Sequence, residues 1–134
     1  MRVFLDTNVL VSAFTTRGLS ADVFRLVLAE HQLLTGEVNV KELRRVLRTK
    51  MRAPVPAVDA AVRLLREQEI IKRPKAKLAL KVRDPDDAWV LASAVIGGAG
   101  ILVTGDQDLL VWNGIAPIPI VTPRAFWERA RPPQ

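Results

Sequence analysis

Apolar residues in this chain fall into short unbroken runs and longer stretches where they recur every three or four positions, so the sequence reads as strands interleaved with helices. Arg2-Val-Phe-Leu5 is a β-branched and aromatic run that ends at Asp6, the pattern of a buried parallel strand that delivers a carboxylate at its C-terminal end. A helix is expected from Leu19 to Glu30, with Ser20 as its cap, Asp22 in the first turn and Leu19 stapled against Phe24. Gln32 to Thr35 reads as a second strand closed by Gly36. Asn39 to Thr49 reads as a helix with Asn39 as N-cap and with Val40, Leu43 and Leu47 on one face. Pro54 and Pro56 break the chain before a further helix from Ala57 to Gln68, whose apolar stripe is Val58, Ala61, Val62 and Leu65.

The second half continues the alternation. Ile70-Ile71 is a candidate short strand, and Lys72 to Arg83, basic and containing Pro74, reads as a surface connection. Asp84-Pro85 is a helix start, a capping carboxylate followed by proline at the first helical position, and the helix runs to Ile96 before Gly97-Gly98-Ala99-Gly100 stops it. Ile101 to Thr104 is then a strand, Gly105-Asp106 a turn, Ile118 to Val121 a last strand, and Thr122-Pro123 opens a final helix to Ala130. Helices alternating with short apolar strands predict an α/β fold: a mainly parallel twisted β-sheet flanked by α-helices on both faces. With no repeat and no long linker, residues 1–134 are expected to form a single domain.

Charge changes the picture because it is unevenly spread. The formal net charge is +6, yet residues 41 to 83 hold 14 of the 20 Lys/Arg and 4 of the 14 Asp/Glu, so one stretch is strongly basic and its flanks are acidic. A polyanionic partner such as nucleic acid explains a basic surface beside an acidic site, provided a cation reverses the sign where chemistry occurs. Solvation of helix faces explains the same Lys and Arg residues equally well. The absence of cysteine excludes disulfides, zinc–thiolate sites, iron–sulfur clusters and thiol nucleophiles. The opening Met1-Arg2 runs within a few residues into Asp6, too soon for a secretory signal, and charges or Gly/Pro interrupt every apolar run, so a cytoplasmic protein with no membrane span is expected.

The carboxylates carry the candidate chemistry. In open α/β sheets ligands gather outside the carboxyl ends of the strands, where Asp6 and Asp106 both fall. Asp6-Thr7-Asn8 and Thr104-Gly105-Asp106-Gln107-Asp108 put short oxygen-bearing side chains beside an acid, the ligand type that hard divalent cations prefer. Each acid also has a structural reading. Asp84 is a helix cap, Asp86 and Asp87 suit a first helical turn, Glu42 stands three residues after Asn39 as in a capping box, and Asp106 and Asp108 are ordinary turn residues. Asp6 is hardest to assign structurally, because an acid directly after a buried strand has no capping task unless a helix starts at once.

Taken in series, Val3-Phe-Leu-Asp-Thr-Asn-Val-Leu-Val-Ser12, Glu42-Leu43, Asp84-Pro-Asp-Asp-Ala-Trp-Val-Leu-Ala92 and Leu102-Val-Thr-Gly-Asp-Gln-Asp-Leu109 resemble the PIN domain, in the right order and over nearly the whole chain. The nearest likeness is to the toxin components of VapBC-type toxin–antitoxin systems. The resemblance implies an endoribonuclease that hydrolyses RNA phosphodiester bonds with Mg²⁺ or Mn²⁺ held by Asp6, Glu42, Asp87 and Asp106. It also implies Asn8, Asp84, Thr104 and Asp108 as possible supporting residues, a small antitoxin protein as partner, and a homodimer. Asp87 is chosen over Asp84 and Asp86 for the alanine-rich helical register that follows it, and Glu37 is an outside alternative to Glu42. His31, the one histidine, is not needed as a ligand.

Competing readings are a PIN-type nuclease of RNA maturation or decay, and a non-catalytic nucleic-acid or protein interaction module, which would show gaps in the acidic set. A phosphoacceptor domain would carry an acidic pair after the first strand and a late lysine, and no lysine follows Lys81. A nucleotide-binding domain would place its glycines between a strand and a helix, whereas Gly97 to Gly100 precede a strand. Of the tryptophans, Trp89 and Trp127 fall at core spacing, and Trp112 is the one considered for substrate or partner contact.

Overall fold

In the computed structural model, which describes residues 1–130, the elements run β1 (Arg2–Leu5), α1 (Thr7–Thr15), α2 (Leu19–Glu30), β2 (Gln32–Gly36), α3 (Glu37–Thr49) and α4 (Val55–Arg66). They continue as β3 (Glu69–Ile71), α5 (Pro85–Ile96), β4 (Ile101–Val103), α6 (Gln107–Leu110), β5 (Ile120–Val121) and α7 (Pro123–Ala130). The strands form one sheet in the order β3-β2-β1-β4-β5, and every pairing is parallel.

Because successive strand residues point to opposite faces, the sheet divides its apolar side chains between two cores. Val3 and Leu5 of β1, Leu33 of β2, Ile101 and Val103 of β4 and Val121 of β5 pack on one face with α1, α2, α3, α4 and α7. Phe4, Leu34, Leu102 and Ile120 point the other way, onto Val90, Leu91 and Ala94 of α5 and Leu109 of α6. The expected stripe of α4 is buried at all its positions: Val58, Ala61, Val62 and Leu65. No helix among the described residues is long and apolar enough to cross a membrane.

Several local expectations need correction. Helix α1 follows β1 at once, where no element was expected; its β-branched residues are weak helix formers, but burial of Val9 and Leu10 against the sheet outweighs that preference. Helix α2 has the expected bounds, yet its cap is Gly18 with no side-chain hydrogen bond, not Ser20, which lies inside the helix. Helix α3 starts at Glu37 and not at Asn39, so Asn39 occupies the first turn and its side chain reaches back, accepting at Oδ1 from the Gly36 backbone N–H (3.2 Å). Pro56 sits in the first turn of α4, where a missing N–H costs nothing, so this helix begins before the proline and not after it. The short helix α6 replaces the tail of the expected turn, and β5 begins at Ile120, not Ile118.

Candidate metal centre

The strand order reverses between β1 and β4, since the chain winds from β1 outward to β3 and then returns to the other side of β1. A crevice opens at such a point beyond the carboxyl ends of the two strands. Asp6 leaves β1 there and Thr104-Gly105-Asp106 leaves β4. The Thr104 hydroxyl donates to Asp6 Oδ2 (2.7 Å) and accepts from the Asp106 backbone N–H (3.0 Å), fastening the two strand ends to each other.

Asp6 is buried, and both of its oxygens are engaged. Oδ1 accepts from the Thr7 N–H (2.7 Å) and from Asn39 Nδ2 (3.1 Å); Oδ2 accepts from Thr104 and from Asn8 Nδ2 (3.1 Å). A helix does start at once, so Asp6 caps α1. Asp106 caps α6 through the Asp108 N–H (2.9 Å), and Asp84 caps α5 through the Asp86 N–H (2.9 Å). The N-termini of these helices point their positive ends toward the acids that cap them, which offsets part of the repulsion among clustered carboxylates.

Asp6, Glu42, Asp87 and Asp106 line a single cleft of about 390 Å³, with Asn8, Ser12 and Thr16 among its other walls. Asp87 is the member of the Asp84, Asp86 and Asp87 group that faces this cleft; Asp84 and Asp86 are exposed. Carboxylate oxygens of Asp87, Asp106 and Asp108 lie within 4.8 Å of one another, so Asp108 stands close enough to share one ion with Asp87 and Asp106. Glu37 turns away to an ion pair with Arg66 (3.0 Å). His31 packs edge-on against Phe126, and Trp127 and Trp112 each pack on a core cluster.

The electrostatics of the cleft are those of acids without enough positive charge. Burial pushes the Asp6 carboxyl above the usual range, against the pull of its hydrogen bonds to Thr104 and Thr7. Glu42 is raised by burial and then by the negative charge of Asp6. Asp87 is raised to about 8, first by burial and then by the Asp106 carboxyl beside it, which can hydrogen-bond to Asp87 only while Asp87 keeps its proton. Asp87 Oδ2 is buried with no hydrogen-bond partner. Such an orphaned oxygen, in a cluster of like charges with oxygen donors alone, fits a hard divalent cation.

Asn39 was missed as part of this arrangement. It is fully buried, and besides Asp6 its Nδ2 donates to the Thr7 hydroxyl (2.9 Å), so it joins the first turns of α1 and α3 beneath the cleft. The signal available in the sequence was an amide near a glycine that ends a strand, which reads equally well as a helix cap.

A family model described as PIN domain matches residues 2–108. No curated protein sequence matches the chain. Among solved structures, VapBC2 of Rickettsia felis, bound to a DNA fragment from its promoter, superposes with a TM-score of 0.64 at 16% identity, covering 91% of this chain and 98% of that one. A Mycobacterium tuberculosis toxin, VapC20, described as cleaving the sarcin–ricin loop, gives 0.60 at 16% identity over 80% of this chain and 92% of its own. PAE2754 of Pyrobaculum aerophilum gives 0.66 at 17% identity, covering 97% and 89%. At these identities the likeness is one of fold.

Proposed function

Since the chain belongs to the PIN-domain family, we propose that it is an endoribonuclease dependent on Mg²⁺ or Mn²⁺ and that it serves as the toxin of a toxin–antitoxin pair. The observation that carries the nuclease reading is the buried, unpartnered Oδ2 of Asp87 beside Asp106 and Asp108 at the topological switch point of the sheet. Asp6, Asp87 and Asp106 would hold the cation, with Glu42 and Asp108 completing the set. When bound, the cation supplies neutralisation of the charge that builds on the phosphoryl oxygens and acidification of water.

The protein's own groups supply position and proton handling. Asp6 is held in place on the wall of the cleft by its four donors, so it fixes the position against which a phosphodiester would be placed. Glu42 reaches the cleft from the second turn of α3, half-buried and with its proton affinity raised by burial and by Asp6, which suits a group that accepts a proton from attacking water. Asn8 donates to Asp6 and Thr104 and accepts from the Gly105 N–H (2.9 Å), holding the turn that presents Asp106.

The toxin reading rests on the fold shared with the Rickettsia felis and Mycobacterium tuberculosis proteins. On that reading a small antitoxin would close the cleft by setting an arginine against the carboxylates, whose planar fork matches paired acids. Incubation of the purified chain with single-stranded RNA is the test. Cleavage with Mn²⁺ or Mg²⁺ that stops in EDTA and is lost in Asp87→Asn supports the nuclease; undiminished cleavage in chelator rejects it.

A further inference from the structure

Beside the acidic cleft, and sharing Glu42 and Val90 with it, lies a second groove of about 350 Å³. Its remaining walls are Val38, Lys41 and Arg45 from α3, Arg73 from the connection after β3, and Asp86 and Trp89 from α5. The groove continues along the outer face of α3 into a shallower one lined by Lys41, Arg44, Arg45 and Arg48. These four residues recur at the i, i+3, i+4, i+7 spacing that makes one stripe on a helix, and at 1.5 Å per residue the stripe is about 10 Å long. All are exposed, and neither they nor Arg73 form an ion pair with an acid among the described residues.

Trp89 gives this surface its shape. Its indole is half-buried on α5, the Arg73 guanidinium lies over the ring at 4.3 Å from the centroid, and the Lys77 ammonium stands at 5.3 Å. Both cations belong to a connection with no helix or strand between Ile71 and Pro85. Cation–π attraction to one ring therefore brings charge from an irregular segment to the rim of the groove.

We propose that this groove and the α3 stripe bind the backbone phosphates flanking the one that enters the acidic cleft, and that Trp89 is the positioning residue that pins Arg73 onto that track. The occupant is a single strand of nucleic acid, because Asp6 and Asp87 are recessed and a phosphate can reach them only from a strand free to bend into the cleft. This rests on the nuclease reading for the direction of the track, and not for its existence.

Binding and cutting are therefore measured separately. Fluorescence anisotropy of a labelled single-stranded RNA octamer in EDTA, over a KCl series, gives affinity and salt slope for the parent, Arg45→Gln, Arg73→Gln, Trp89→Leu, Trp89→Phe and the Arg73→Gln/Trp89→Leu double variant. Arg63→Gln, on the exposed side of α4, is the control, and melting curves check folding. Arg45→Gln and Arg73→Gln are expected to weaken binding several-fold each and to reduce the salt slope by about 0.7, the change for one lost contact to a single strand. Trp89→Leu should match Arg73→Gln, the double variant should be no worse than either, and Trp89→Phe should recover most of the affinity, since the ring face is kept. No binding by the parent, unchanged slopes in the variants, additive losses in the double variant, or competition by polyglutamate as effective as by RNA would each overturn the proposal; the last would assign the groove to an acidic protein partner. A parent that binds but does not cut with Mn²⁺ refutes the nuclease and leaves the groove standing, and one that cuts while the variants bind normally does the reverse.

Discussion

Nδ2 of Asn39 donates to Oδ1 of Asp6 at 3.1 Å, joining the first turn of α3 to the end of β1 inside a site where every other hydrogen bond to the Asp6 carboxylate comes from α1 or from Thr104, just past β4. The amide also serves the Gly36 N–H and the Thr7 hydroxyl, so it is engaged at both ends and both of its N–H groups are used. Asn39→Ala should cost roughly 1–3 kcal/mol, the usual range for leaving buried polar groups unpaired. Asn39→Asp should cost more, because it sets a second buried charge against Asp6. Urea denaturation in EDTA would measure both; an Asn39→Asp variant as stable as the parent would show that the contact contributes little.

Asp6→Asn and Asp87→Asn should move stability in opposite directions. The Asp6 oxygens receive four donors, and an amide cannot accept at its nitrogen, so Asp6→Asn strands two of them and lowers the melting temperature in EDTA. Asp87 has no such duties, and replacing it removes repulsion from Asp106, so Asp87→Asn should melt at or above the parent.

The pH dependence follows from the same acid. Asp87 is raised from 3.8 to about 8 in the folded chain, so its contribution to stability is fully present below about pH 4 and is lost as pH rises through about 8. Asp6 and Glu42 shift in the same direction and add to the trend. In EDTA the melting temperature should therefore fall between pH 5 and pH 8.5, and Asp87→Asn should flatten the curve. With Mn²⁺ the added stabilisation should grow over that interval, because a cation must displace the Asp87 proton. An Mn²⁺ effect that is constant with pH would contradict this linkage.

Ligand and cap can be separated at Asp84 and Glu42. Asp84 is exposed and caps α5, so Asp84→Ala should cost about 0.5–2 kcal/mol and keep the Mn²⁺ shift in melting temperature. Glu42→Gln, inside the cleft and without a capping partner, should keep the melting temperature in EDTA and reduce the Mn²⁺ shift. Loss of the shift in Asp84→Ala with its retention in Asp87→Asn would assign the cation to the wrong side of α5.

The strands and the long helices were legible because each buries a regular stripe: Phe4 and Leu34 on one face of the sheet, Val3 and Leu33 on the other, Val58 to Leu65 along α4. Strand ends are chain positions, so the placement of Asp6 and Asp106 could also be read. Helix α1 could not, since Val9, Val11 and Thr15 are poor helix formers and nothing local shows that a sheet waits to cover them. The same gap hid the capping role of Asp6. Nor could periodicity show that Arg73 would lie on Trp89, because an irregular connection carries no period.

The connection after β3 also divides the molecule. It is a run of Lys and Arg without regular structure, and β1, β2 and β3 come before it while β4 and β5 come after. The seam between the two pieces includes the parallel pairing of β1 with β4 and the Thr104–Asp6 hydrogen bond, with α5 packed on β2 and α7 on α2. Asp6 and Glu42 belong to one piece, Asp87 and Asp106 to the other. A chain opened by trypsin in this segment would thus yield two fragments, each holding only part of the acidic set, and neither able to form the cleft until strand pairing brings them back into register. Separated genetically, the same fragments would make a split protein in which reassembly of the sheet is itself the switch.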